Sequence, residues 1–137
     1  MAAPFLRPVL ENPQATFRLV NRRTGKIVAH EVFTAFDSAS RRKGLLGRDS
    51  IASNSAIIIA PTNAIHTWFM RFDIDVAFVA RDGTVVKARH QLKPWRVFGA
   101  LGAYAALELP AGSLASSDTL PGDFLVLEST PEVGKVG

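Results

Sequence analysis

Apolar and polar residues alternate along much of this chain, most densely between residues 65 and 79. Read at strand period, Ile65-His66-Thr67-Trp68-Phe69-Met70-Arg71-Phe72-Asp73-Ile74-Asp75-Val76-Ala77-Phe78-Val79 divides into two faces. One carries His66, Trp68, Met70, Phe72, Ile74, Val76 and Phe78, is nearly all apolar, and is predicted to point at the core. The other is apolar at its ends and carries Arg71, Asp73 and Asp75 in the middle. The stretch is long for one strand. A bend or bulge near Phe72 and Asp73, rotating the second half, is therefore predicted.

Shorter segments of the same kind flank it. Residues 16–20 and 27–34 are strand-like, and Asn21-Arg22-Arg23-Thr24-Gly25-Lys26 between them supplies turn chemistry, which predicts a hairpin. Asp37 is placed as the N-cap of a short helix over 38–43. Its last turn holds Arg41, Arg42 and Lys43, with Gly44 as a left-handed C-cap. Arg48 would follow on a Gly-containing loop. Residues 56–60 form an apolar strand stopped by Pro61. Arg81-Asp82-Gly83 predicts a tight turn into a partner strand over 84–90. Residues 94–103 read as a loop, 104–109 as a strand, 113–119 as a helical turn and 124–128 as the last strand.

About eight short strands, two short helical pieces and many Gly/Pro turns predict a mainly β (α+β) fold. The expected architecture is a small, mostly antiparallel β-barrel or two-layer sheet. One domain is expected over 16–129, with an irregular arm over 1–15 and a frayed tail over 130–137. The length of 137 residues suits that count.

Composition narrows the chemistry. The absence of cysteine removes disulfides, thiolate metal sites and cysteine nucleophiles. No apolar run reaches the roughly 20 residues of a membrane-spanning helix. The start has no basic segment followed by a long apolar one, so a cytoplasmic location is expected, although a leader already removed would leave the same sequence. The net charge of +4 is unevenly placed. Residues 17–48 hold eight Lys or Arg against Glu31 and Asp37, and residues 104–132 hold five acids and no base. Two readings follow: the segments pair with each other, or the basic one meets an anionic partner.

Five motifs occur in order: Arg42-Lys43-Gly44-Leu45-Leu46-Gly47-Arg48, Ile65 to Asp75, Leu92-Lys93-Pro94-Trp95-Arg96, Leu107-Glu108-Leu109-Pro110-Ala111-Gly112 and Pro121-Gly122-Asp123. On these residues the chain resembles the bacterial family called domain of unknown function 192, from about residue 16 to 129. The resemblance implies a small mixed β-barrel domain and carries no reaction with it. Relatives with the Ile-His-Thr motif often have a proline where this chain has Asp73, and a cysteine where it has Pro61 to Asn63.

Candidate chemistry centres on the same motifs, and each residue has a structural alternative. His66 could act as a general base or metal ligand, or be a satisfied core histidine. Asp73 and Asp75, two apart, could divide acid and base roles or hold a hard cation, or flank a strand end and pair with Arg71 or Arg89. Trp95 and Arg96 could stack and grip a ligand, or Trp95 could anchor its loop in the core. Glu108 would lie on the strand face opposite Leu107 and Leu109, as a partner for Arg48 or Arg71. His30, His66 and His90 are scattered, so no metal site or other cofactor is expected. Phosphate-binding loops, dinucleotide fingerprints, nucleophile elbows and His-Glu-x-x-His are missing.

The leading expectation is a binding module for a small polar or anionic ligand, lined by Arg48, His66, Trp68, Arg71, Asp75, Trp95, Arg96 and Glu108. Its rivals are a hydrolase-like enzyme using His66 with Asp73 or Asp75, and a protein-interaction factor using the basic surface of residues 18–48. Nucleic acid is not an expected partner, since no aromatic-rich RNA-binding strand is present. Oligomeric state is left open.

Overall fold

The computed structural model describes residues 4–37 and 51–130. The helix expected over 38–43, its Gly44 cap and Arg48 lie outside those residues, as does the tail from 131. Among the described residues the elements run α1 (Arg7–Glu11), β1 (Phe17–Asn21), β2 (Ile27–Ala29), β3 (Glu31–Ala35), β4 (Ser55–Ile59), β5 (Ala64–His66), β6 (Ile74–Val79), β7 (Val85–Leu92), β8 (Val97–Gly99), β9 (Ala105–Pro110), α2 (Ser113–Ser116) and β10 (Leu125–Ser129).

The strands form a three-stranded sheet β10-β1-β2, a five-stranded sheet β3-β4-β9-β6-β7 and a two-stranded ribbon β5-β8. All pairs are antiparallel except β3 with β4. The fold is mainly β, as the alternation predicts, but it is not a closed barrel. The two larger sheets meet at opposite edges. At one, the chain steps from β2 into β3 across His30; at the other, a single bridge joins Thr84 to Phe124.

The central strands β4, β6 and β9 are buried along essentially their whole length. A strand with apolar layers on both faces has to read as a continuous apolar run, and Ala56-Ile57-Ile58-Ile59 does. Leu19, Val79, Leu107, Leu109 and Leu125 belong to a core that includes residues from both larger sheets. Ile57, Ile59, Ile74, Val76 and Phe78 form a second core on the other face of the five-stranded sheet, with Ile65, Met70 and Phe98 from the ribbon and its loop. Each such large side chain, fully buried, contributes about 2 kcal/mol.

Both hairpins predicted from turn chemistry form. The turn between β6 and β7 needs its glycine. Gly83 has φ +93°, and a side chain there would run into the Leu125 carbonyl.

Four expectations are corrected. Residues 27–34 are not one strand: the segment divides at His30 and its halves enter different sheets. The arm before residue 16 contains α1, with Phe5, Leu6 and Val9 buried. The loop over 94–103 contains β8. Most consequentially, residues 65–79 do not form one bent ribbon. The stretch breaks into β5 and β6, with residues 67–73 as a loop, and His66 and Trp68 face solvent rather than the core.

Candidate functional site

The ribbon β5-β8 lies on the five-stranded sheet by strand alternation. Ile65 pairs with Phe98, and His66 with Val97. Ile65 is buried, and the Phe98 ring packs on Phe78 with centroids 5.4 Å apart. Lys87 lies over Phe98 at 4.5 Å and donates to the Gly99 carbonyl at 2.8 Å. His66 and Val97 are turned outward.

Two loops leave this ribbon and are tied together by Thr67. Its buried Oγ1 donates to the Lys93 carbonyl at 2.6 Å and accepts from the Arg96 amide at 2.9 Å. Its own amide donates to the Arg96 carbonyl at 2.8 Å, and its carbonyl accepts from the Trp95 and Met70 amides at 3.0 and 3.2 Å. Every polar atom of Thr67 is thus engaged.

The rings that hang from this knot are exposed. Trp68 is 46% accessible, Phe69 64%, Trp95 58% and Val97 67%. The His66 and Trp68 rings are 5.0 Å apart, and Phe69 meets Trp95 edge-on at 4.8 Å. Phe69 and Trp95 both have positive φ, 66° and 64°. Non-glycine residues occupy that region at a cost of about 1 kcal/mol or more. The surrounding hydrogen bonds hold two aromatics in it, and the consequence is an aromatic ledge facing solvent. Arg71 and Arg96 are exposed on the same loops, and Lys93 pairs with Asp73 at 3.7 Å. Arg96 Nη1 hydrogen-bonds the Pro94 and Trp95 carbonyls of its own loop.

The structure therefore gathers His66, Trp68, Arg71, Trp95 and Arg96 on the ribbon and its two loops. It does not bring Asp75 to them. Asp75 is fully buried on the opposite face of β6 from Val76. Its Oδ1 accepts from the Gln91 amide at 2.9 Å, and its Oδ2 from Gly112 at 3.1 Å and Leu114 at 2.9 Å. It pins α2 to the sheet. No hydrogen bond or ion pair among the described residues joins His66 to Asp73 or Asp75.

Glu108 takes a third position. It lies in register with Ile57 and Val76 on the sheet face beneath the ribbon, opposite Leu107 and Leu109 as expected. It is 4% exposed, its Oε2 has no hydrogen-bond partner among the described residues, and burial pushes its carboxyl up to about 7. An ion pair with Arg71 is not formed.

Sequence reasoning missed Thr67 and Phe69. Nothing in residue type marks a left-handed phenylalanine, and a threonine between strand residues reads as ordinary β propensity. The neighbouring turn at Trp95 carried the better signal, a proline followed by an aromatic and an arginine.

The model of the DUF192 family, described as uncharacterized ACR, matches residues 19–127. The chain belongs to the DUF192 family. Two crystal structures share the fold of this DUF192 domain. One is described as a "putative transcription regulator" from Sinorhizobium meliloti 1021, with 23% identity over 84% of this chain and 92% of that one, at a TM-score of 0.70. The other is a protein of unknown function from Novosphingobium aromaticivorans DSM 12444, with 22% identity over 80% and 82%, at a TM-score of 0.69. At such identities the likeness carries the fold alone. Among curated proteins none matches the chain. The described residues of the DUF192 domain contain no helix long and apolar enough to cross a membrane.

Proposed function

We propose that this DUF192 domain is a binding module whose working surface is the aromatic ledge, and that it takes a small anionic ligand with a flat face. The observation that carries this reading is the pair of ring contacts, His66 with Trp68 and Phe69 with Trp95, held outward by two left-handed aromatic residues. Proteins rarely leave large rings clustered in solvent unless something covers them. Trp68 and Trp95 supply stacking faces. Arg71 and Arg96 bias the ledge towards an anion.

Calorimetric titration with phenyl phosphate tests the reading, with inorganic phosphate and phenol as controls. Phenyl phosphate is expected to bind more tightly than either control, because only it offers both ring and charge. Trp95→Ala and Arg96→Ala are each expected to weaken it by about tenfold, the loss of one stacking or charge contact. Equal affinity in wild type and both variants would remove the ledge as the site. Apolar ledges also meet protein partners; an occupant of that kind would leave phenyl phosphate unbound.

A further inference from the structure

A second feature lies where the β6–β7 turn meets α1 and the start of β9. Arg81 opens that turn, and its backbone is clamped. The Phe5 amide donates to the Arg81 carbonyl at 2.6 Å, and the Leu125 amide donates to the Gly83 carbonyl at 3.0 Å. The guanidinium thus stems from a fixed point and lies over the Tyr104 ring, 4.1 Å from its centroid. No carboxylate among the described residues pairs with it. The adjacent Asp82 spends its Oδ1 on the Thr84 amide at 2.9 Å. An arginine held by a ring face keeps its in-plane N–H donors for a ligand, and a carboxylate matches their fork.

Two clefts share the Arg81–Tyr104 pair in their walls. One, about 270 Å³, is bounded by Pro4, Phe5, Leu6, Leu10, Ala80 and Ala105 beside that pair. Apart from the pair its side chains are all apolar, and Leu10, 63% exposed, stands at its edge. The other, about 740 Å³, is more polar, with Thr62, Asn63 and Asp82 on its wall. A greasy slot with one unpaired cation at its margin suits one class of molecule, a chain with an anionic end.

We propose that the slot beside α1 binds a small aliphatic carboxylate, its head on the Arg81 guanidinium and its chain along Phe5, Leu6 and Leu10. The site is independent of the ledge, and neither reading needs the other. Charge complementarity selects the head group, and the apolar lining selects the tail. The volume favours a short chain over a membrane lipid.

Sodium octanoate, titrated into the full-length protein by calorimetry and by ¹H–¹⁵N correlation spectra, tests this directly. Saturable binding is expected, with amide shifts at Phe5, Leu10 and Arg81 and with both tryptophan indole signals unmoved. Hexanoate should bind about threefold to fourfold more weakly for each methylene removed. Acetate and 1-octanol, each lacking one half of the ligand, should bind at least tenfold more weakly. Arg81→Gln should weaken octanoate about tenfold. Leu10→Asp, at an exposed position, should do so without altering the melting temperature. Absence of saturation, unchanged affinity in Arg81→Gln, or octanoate shifts at the indoles would each overturn the proposal.

Discussion

Asp75 and Asp123 sit where every carboxylate oxygen has a donor, whereas Glu108, on the sheet face beneath the ribbon, has none among the described residues for its Oε2. Asp75 accepts three backbone amides. Asp123 accepts from Arg23 Nε at 2.6 Å on one oxygen, and from Asn21, Arg23 and the Leu120 amide on the other. The hydrogen bonds and charge of Arg23 hold the Asp123 carboxyl well below the usual range. Those two aspartates stitch α2 and the turn before β10 onto the sheets. Around the ribbon the local rules are broken together: a buried carboxyl with one oxygen unpartnered among the described residues, two left-handed aromatics and an exposed cluster of rings. Departures from local consistency concentrate where a protein does its work, and this contrast separates the scaffold from the proposed site.

The largest expected effect comes from breaking the scaffold side. Asp75→Ala leaves three backbone amides, that of Leu114 buried, without their acceptor and should cost about 3 kcal/mol in urea denaturation at pH 7. A loss below about 1 kcal/mol would mean that those amides find other partners.

The opposite behaviour is expected of Glu108. Its folded carboxyl titrates near 7, against 4.5 when unburied. Between those values the unfolded chain has released the proton and the folded chain has not, so stability falls as pH rises through the window and levels off above it. Glu108→Gln removes that slope. Relative to wild type it should gain about 3 kcal/mol between pH 4 and pH 8. Asp123 works in the other direction and in another window: its contribution is present above about pH 4 and is lost on further acidification. Parallel pH–stability curves for wild type and Glu108→Gln would dissolve the contrast.

Thr67→Val keeps the shape of the side chain and removes the Oγ1 bonds to Lys93 and Arg96. It should cost about 2 kcal/mol and alter tryptophan emission, because both tryptophans of the chain, Trp68 and Trp95, hang from that knot. Smallest of all is Arg18→Ala. Its pair with Glu128 at 3.0 Å is exposed, and its loss should cost no more than about 0.5 kcal/mol, vanishing in high salt.

That pair belongs to a pattern legible in the sequence. The basic segment meets the acidic one through Arg18 with Glu128, Arg23 with Asp123 and Lys26 with Asp118. The hairpins at Gly25 and Gly83 and the buried strands β4, β6 and β9 were equally readable, because turn residues and apolar runs have direct backbone consequences. The ledge was not. Alternation treats every large apolar side chain as inward-facing, so Trp68 read as core and the strand appeared to continue through residues 67–73. The break depends on Thr67 bonding to residues 26 to 29 positions away, which no local pattern contains. Glu108 fell between the two cases: its face was readable, but the absence of a donor to its Oε2 among the described residues was not.

The account stands or falls on the ledge. The two tryptophan indole N–H signals, followed in ¹H–¹⁵N spectra while phenyl phosphate is added, test it most directly. The predicted result is that both move along one saturation curve and that the curve collapses in Arg96→Ala. Two stationary indole signals at saturating phenyl phosphate would contradict it.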